Sequence, residues 1–187
     1  MLKQWTQARL NELLQADFEG HKLIVVSNRQ PYSHFYTEEG LIRHCRPSSG
    51  MVTALEPIMN ACGGLWIAQG NSGADRDVVD ERTHVAVPPD SPRYDLRRVW
   101  LTREQIEGHY NGASNQGLWP LCHMTFNKPV FSAAHWDSYR DVNEAFAQAV
   151  LEGSDGRPAV VLVQDYHYAL VPRLLKEADP NPIVAHA

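Results

Sequence analysis

Apolar positions along this chain follow two alternating patterns: short β-branched runs, and longer stretches with one apolar helical face. Trp5, Leu10, Leu13, Leu14 and Phe18 fall at near-helical spacing and Gly20 supplies a stop. Residues 1–20 therefore read as an amphipathic helix, either laid on the domain or used for self-association. Lys22-Leu23-Ile24-Val25-Val26-Ser27 has the composition of a strand buried on both faces. A polar, Pro-containing loop is expected from Asn28 to Ser49. Apolar residues at 51, 54, 55, 58, 59 and 62 then define a helix face closed by Gly63-Gly64, with Pro57 expected to kink it or mark a late start.

Leu65-Trp66-Ile67-Ala68 predicts a second buried strand. Val85-Ala86-Val87 and Arg98-Val99-Trp100 predict less buried ones inside the polar stretch 70–98. Helix is expected at 102–110 and at 136–151, where Tyr139, Val142, Phe146 and Val150 share a face. Ala159 to Gln164 is the strongest strand, Tyr168 to Ala178 reads as helix, and Pro182 to Ala185 begins another buried apolar strand. Strands alternating with helices at these lengths imply βαβ units. The expected class is α/β, doubly wound and Rossmann-like, with a mainly parallel sheet. Domains seldom end at the outset of a buried strand, so the pattern also predicts a truncated domain over 21–187.

Composition narrows the function classes. The chain has 187 residues, 43% of them hydrophobic, as in an ordinary globular protein. A formal net charge of -5 and the absence of a basic run argue against a nucleic-acid partner. No apolar run approaches the roughly 18 residues of a membrane span, and no signal peptide is evident. Three widely spaced cysteines, Cys45, Cys62 and Cys122, point to a reduced, cytoplasmic setting.

Ligands of doubly wound sheets bind beyond the carboxyl ends of the strands, and two strands here end on conspicuous polar groups. The first runs into Ser27-Asn28-Arg29, the strongest into Gln164-Asp165-Tyr166-His167. Arg29 is placed to grip a phosphate through paired donors, or to make a surface salt bridge. Asp165 is placed to accept from sugar hydroxyls, or to cap a helix. Ser48-Ser49-Gly50 sets small residues at a helix N-terminus, suited to a diphosphate or to ordinary capping. No G-x-G-x-x-G or Walker pattern occurs, nor a Gly-x-Ser-x-Gly elbow. The histidines lack zinc-site spacing. Asp75-Arg76-Asp77 has the Asp-x-Asp form that can hold a divalent metal, but its charged surroundings favour a solvated surface. The stretch from His109 to Pro120 holds Tyr110 and Trp119 around small polar residues and two glycines. It suits either an anchored loop or a sugar site that pairs flat apolar faces with short polar groups.

Ser27-Asn28-Arg29, Ser49-Gly50, Gly63-Gly64-Leu65-Trp66, Tyr110 to Pro120 and Asp165-Tyr166-His167 occur in an order that resembles glycosyltransferase family 20, the family of the trehalose-6-phosphate synthases. The resemblance runs from Leu23 to the last residue. It implies the N-terminal half of a two-domain GT-B fold. It also implies a retaining transfer of glucose from UDP-glucose to glucose 6-phosphate, with no metal ion and no other cofactor. Arg29 and Tyr110 match residues that hold the acceptor phosphate, and Asp165 one that binds its hydroxyls. Trp119 matches the tryptophan that selects the acceptor's α-anomer, and Ser49 and Gly50 match a donor-contacting Gly-Gly pair. Ser49 departs from the first glycine of that pair. Gln164 stands where His is common, and Gln30 where an aliphatic residue is usual. The nucleotide-binding residues of the family lie in a C-terminal domain absent from this sequence, so the resemblance implies a fragment inactive alone. ADP- or GDP-glucose as donor, and glycerol 3-phosphate as acceptor, remain alternatives within the family. Outside it stand a stand-alone sugar-phosphate-binding module and an interaction domain that self-associates through residues 1–20.

Overall fold

A computed structural model describes residues 6–187, so Trp5 lies outside the described part. Its centre is a six-stranded sheet in the order β5-β6-β4-β1-β7-β8. The strands are β1 (Lys22–Ser27), β4 (Leu65–Gln69), β5 (His84–Val87), β6 (Tyr94–Val99), β7 (Ala159–Val163) and β8 (Ile183–His186). All neighbours pair in parallel except β5 with β6. The α/β, mainly parallel architecture read from the sequence is the one observed.

Each face of the sheet is covered by helix, which is why β1 and β4 are near-continuous apolar runs. On one face, Ile24, Val26, Leu65, Ile67, Val161 and Val163 pack against α6 (Ala133–Gly153) and α7 (Val171–Ala178) through Val142, Phe146, Val150, Val171 and Leu175. On the other, Leu23, Val25, Trp66 and Leu96 meet Val52 and Met59 of α2 (Gly50–Cys62). Leu14 and Phe18 place α1 (Gln7–Asp17) on this second face, beside α2. Among the described residues no helix is long and apolar enough to cross a membrane.

Four expectations are corrected. The segment 28–49 is not all loop: β2 (Ser33–Tyr36) and β3 (Ile42–Cys45) form an antiparallel hairpin. Pro57 sits within α2, which starts at Gly50, so it marks no late start. The strand expected at 98–100 spans 94–99 instead, with Tyr94, Leu96 and Arg98 all facing inward. Finally, β8 is a largely exposed edge strand rather than a buried one. Gly64 shows why the turn into β4 needs glycine. Its φ is +112°, and a Cβ there would lie 2.2 Å from the Leu23 carbonyl oxygen.

The most consequential difference concerns the residues around Tyr110. They are helical: α4 (Arg103–Gln105) runs into a π-helix, Ile106–Leu118, and then α5 (Trp119–Cys122). Glycines usually weaken a helix, but Gly108, Gly112 and Gly117 are where this one presses on its neighbours. A Cβ at Gly108 would meet the Ser138 hydroxyl at 2.4 Å, and one at Gly112 the His135 ring at 2.3 Å. Gly108 and Gly112 set the close approach to α6, and Gly117 that to Phe131.

Candidate functional site

The chain passes from β1 to β4 on one side and returns to β7 on the other, so the topological switch point lies between β1 and β7. Parallel pairing puts Val26 opposite Val163, and the Gln164 N–H donates to the Val26 carbonyl at 2.8 Å. Residues 27–29 and 164–167 therefore emerge together at one edge. A cavity of about 250 Å³ opens there, lined by Asn28, Arg29, Ser49, Tyr110, Asp165 and His167, with Ser27, Met51, Gln164 and Tyr166 completing the wall.

Four sequence-predicted residues meet in this cavity: Arg29, Ser49, Tyr110 and Asp165. Arg29 is exposed, and no ion pair engages its guanidinium among the described residues. The salt-bridge alternative is thereby removed. The Ser27 hydroxyl donates to the Arg29 carbonyl at 2.8 Å and accepts from the Trp66 indole at 2.8 Å, fixing the backbone that presents the guanidinium. Ser49 precedes α2 in extended conformation, and its side chain makes no capping hydrogen bond. Its hydroxyl has no hydrogen-bond partner among the described residues. Gly50 begins α2 but does not line the cavity, and a Cβ there would meet nothing within 4 Å.

Trp119 is not part of the wall either. It is 38% exposed and stacks on His123 at 5.1 Å, and His123 meets the Tyr166 ring edge-on at 6.0 Å. Trp119 thus reaches the cavity through one intervening ring, at the rim.

Asp165 takes φ +71° and ψ 163°, a region that normally demands glycine. Its carboxylate accepts from the Tyr166 N–H at 2.8 Å, so the capping role is real, while the side chain stays 45% exposed to the cavity. The surroundings enforce the conformation. The Tyr139 hydroxyl donates to the Tyr166 carbonyl at 2.5 Å and accepts from the Ala169 N–H at 3.0 Å. The Asn143 amide donates to the His167 carbonyl at 3.1 Å and accepts from the Leu170 N–H at 3.1 Å. His109, fully buried, places Nε2 2.9 Å from that same carbonyl. A carbonyl can only accept, so this nitrogen carries the proton. Burial pushes the His109 pKa down to about 4 and keeps the ring neutral.

His167 is the wall residue that sequence reasoning passed over as anything more than part of a motif. Its ring lies parallel to Tyr110 at 5.4 Å, and its Nδ1 sits 3.5 Å from the Asp165 carboxylate. Burial lowers its pKa, the Asp165 carboxylate opposes this, and the Arg29 charge adds to the lowering. The supporting residues His109, Tyr139 and Asn143 were also missed as such. Only Asn143 left a signal, an amide inside the apolar face of a long helix. The cavity therefore offers one free guanidinium, a carboxylate, the phenols of Tyr110 and Tyr166 and the Ser49 hydroxyl: donors for an anion beside an acceptor for hydroxyls.

Asp75 is not on a solvated surface. It is fully buried and holds the hairpin, α3 (Gly73–Asp77) and β6 together. Its carboxylate pairs with Arg98 at 3.0 Å and accepts from the Gln30 amide at 2.8 Å and the His34 N–H at 2.8 Å. The charge run hid an inward-facing acid whose oxygens are already occupied.

Residues 21–186 match the sequence profile of Glycosyltransferase family 20. The chain belongs to glycosyltransferase family 20. Among its relatives in the family, trehalose-6-phosphate synthase of Mycolicibacterium vanbaalenii (strain PYR-1) is 36% identical over 162 residues, 87% of this chain and 32% of that protein. The enzyme of the same name from Mycobacterium tuberculosis H37Rv is 35% identical over 165 residues, 88% of this chain and 32% of its own length. The chain thus spans about a third of the length of the curated relatives it matches. The fold is also that of a Burkholderia xenovorans α,α-trehalose-phosphate synthase (UDP-forming) solved in complex with glucose-6-phosphate. That likeness has a TM-score of 0.65 at 21% identity, over 88% of this chain and 32% of the other.

Proposed function

We propose that this chain is the acceptor-side domain of a trehalose-6-phosphate synthase, binding glucose 6-phosphate in the cavity between β1 and β7. The observation that carries the reading is the convergence of Arg29, Tyr110 and Asp165 from three separate elements on that one cavity. In this reading Arg29 and the Tyr110 hydroxyl hold the phosphate, and Asp165 accepts from the sugar hydroxyls. Ser49, with its hydroxyl unspent, and Gly50 face the glucose donor, which is UDP-glucose. Trp119 selects the α-anomer from the rim. Glucose transfer proceeds with retention and without a metal ion. Arg29 is the only permanently cationic residue in the cavity wall among the described residues. Transfer from a nucleoside diphosphate sugar needs an electrostatic clamp on the leaving group, so the chain by itself binds acceptor without turnover.

Calorimetry with glucose 6-phosphate tests this. The chain is expected to bind saturably, and Arg29→Ala to lose at least about tenfold in affinity, the scale of a charge-assisted hydrogen bond. Equal binding by the two proteins would overturn the acceptor assignment. Trehalose 6-phosphate formed by this chain alone from UDP-glucose and glucose 6-phosphate would overturn the inactivity.

A further inference from the structure

A second cavity, of about 290 Å³, lies on the other side of Arg29, over the ends of β1 and β4. It shares Asn28 and Arg29 with the first and adds Gln30, Ser33, Pro47, Gln69 and Asn71. Gln69, the last residue of β4, is only 7% exposed. Its side-chain amide has no hydrogen-bond partner among the described residues. The amide atoms are not sealed off, and Gln69 lines this cavity, so what little it exposes is available to a ligand there.

Gln30 shows the contrast. Its Nε2 donates to the Ser33 hydroxyl at 3.1 Å and to Asp75 at 2.8 Å, and its Oε1 accepts from Arg98 at 2.8 Å. Gln30 is fixed and spent, and it orients Ser33 so that the Ser33 O–H proton is free to donate outward. Gln69, Asn71 and the Asn28 amide N–H₂ supply free donors and acceptors around the same space, because the Asn28 oxygen already accepts from the Tyr168 hydroxyl at 3.4 Å. An amide donates and accepts side by side, as a pair of neighbouring hydroxyls requires. Pro47 adds a small apolar face suited to the C–H side of a ring. Among the described residues no carboxylate lines the cavity, and the nearby Asp75 is already paired with Arg98. The volume sits at the lower end of the range for small-ligand sites, about 300–1,000 Å³, which admits one ring rather than a nucleotide.

We propose that this amide-lined cavity is a binding site for a neutral, polyhydroxylated ligand of one ring, a free hexose, adjoining the anion-binding cavity across Arg29. It does not depend on the acceptor reading, because its recognising groups are Gln69, Asn71 and Ser33 rather than Tyr110 and Asp165.

The test is a titration of the ¹⁵N-labelled chain with D-glucose, and separately with glucose 6-phosphate, followed by NMR. Glucose is expected to shift the Gln69 side-chain amide signals saturably. A dissociation constant on the order of 1 mM suits a ligand of about twelve non-hydrogen atoms. Gln69→Leu keeps the size and removes the amide. It is expected to weaken glucose binding about tenfold while leaving glucose 6-phosphate affinity within about twofold. Asn71→Ala, at an exposed position, is expected to weaken glucose binding in the same sense, and thermal melts of both variants check that they fold. The proposal is overturned if the Gln69 signals stay unmoved at about 50 mM glucose, far above the expected constant. It is overturned equally if both variants bind glucose as the parent does, or if glucose shifts only signals around Tyr110 and Asp165. Loss of glucose 6-phosphate binding in Arg29→Ala bears on the acceptor reading alone, so the two can fail separately.

Discussion

Asp165 holds φ +71°, in a region an L side chain reaches only at a cost of about 1–3 kcal/mol. Tyr139, Asn143 and His109 pin the following turn and sustain that cost, which keeps the carboxylate facing the cavity. Two substitutions separate strain from function. Asp165→Gly and Asp165→Ala both remove the carboxylate, and both are expected to lose glucose 6-phosphate binding in calorimetry. Only glycine relaxes the backbone, so Asp165→Gly should unfold at higher urea than Asp165→Ala, by about 1 kcal/mol. His109 gives a second residue-scale expectation. Its pKa falls to about 4 from an ordinary value of 6.5. The unfolded chain therefore takes up a proton that the folded chain refuses. The stability His109 contributes is complete above pH 6.5 and is lost as the pH falls toward 4, by up to about 3 kcal/mol. His34 and His167 are lowered by burial as well and act in the same direction. His109→Gln retains a donor for the His167 carbonyl without a titrating ring, so its urea midpoint should fall less steeply between about pH 7 and 4.

At the scale of elements, the helix 103–122 decides where Tyr110 stands. A glycine inside a helix costs about 1 kcal/mol relative to alanine, and the sequence predicts helix only to residue 110. The contact with α6 reverses that preference, since Gly108 and Gly112 lie where a Cβ would overlap Ser138 and His135. Gly112→Ala should therefore destabilise the chain by about 1–3 kcal/mol despite alanine's better helix propensity. It should also weaken glucose 6-phosphate binding by displacing Tyr110, two residues away. Wild-type stability and affinity in this variant would show that the close packing does not matter. The hairpin β2–β3 was illegible for a related reason. Its strands bury little, β3 being exposed throughout, so they carry no alternating apolar pattern. They are held by polar contacts instead: Tyr32 donates to the buried Glu56 at 2.5 Å, and Arg46 pairs with the same carboxylate.

At the scale of the whole molecule, one buried polar cluster joins the hairpin to the sheet. Burial alone works to raise the Asp75 pKa. Hydrogen bonds from Gln30, Asn71 and His34, with the Arg98 charge, outweigh it and hold the acid below the usual carboxylate range. Arg98 also donates to the His34 ring at 2.8 Å, which fixes that ring as neutral with its proton on Nε2. Asp75→Ala leaves Arg98 buried and uncompensated, so a loss of about 3–5 kcal/mol is expected in urea unfolding. A loss below about 1 kcal/mol, the range of an exposed pair, would mean the cluster is dispensable. The positions of β1, β4 and β7, both apolar faces and the strand-end placement of Arg29 and Asp165 were legible in the sequence. Each follows from local composition and period, and burial on both faces leaves such runs no other place. Convergence of Arg29, Tyr110, Ser49 and Asp165 on one cavity, the rim position of Trp119 and the inward turn of Asp75 were decided only by the tertiary structure. The physical reason is that a polar side chain's role depends on which distant groups it meets. Hydrophobic period constrains apolar residues and says nothing of which partners a charge or an amide will find.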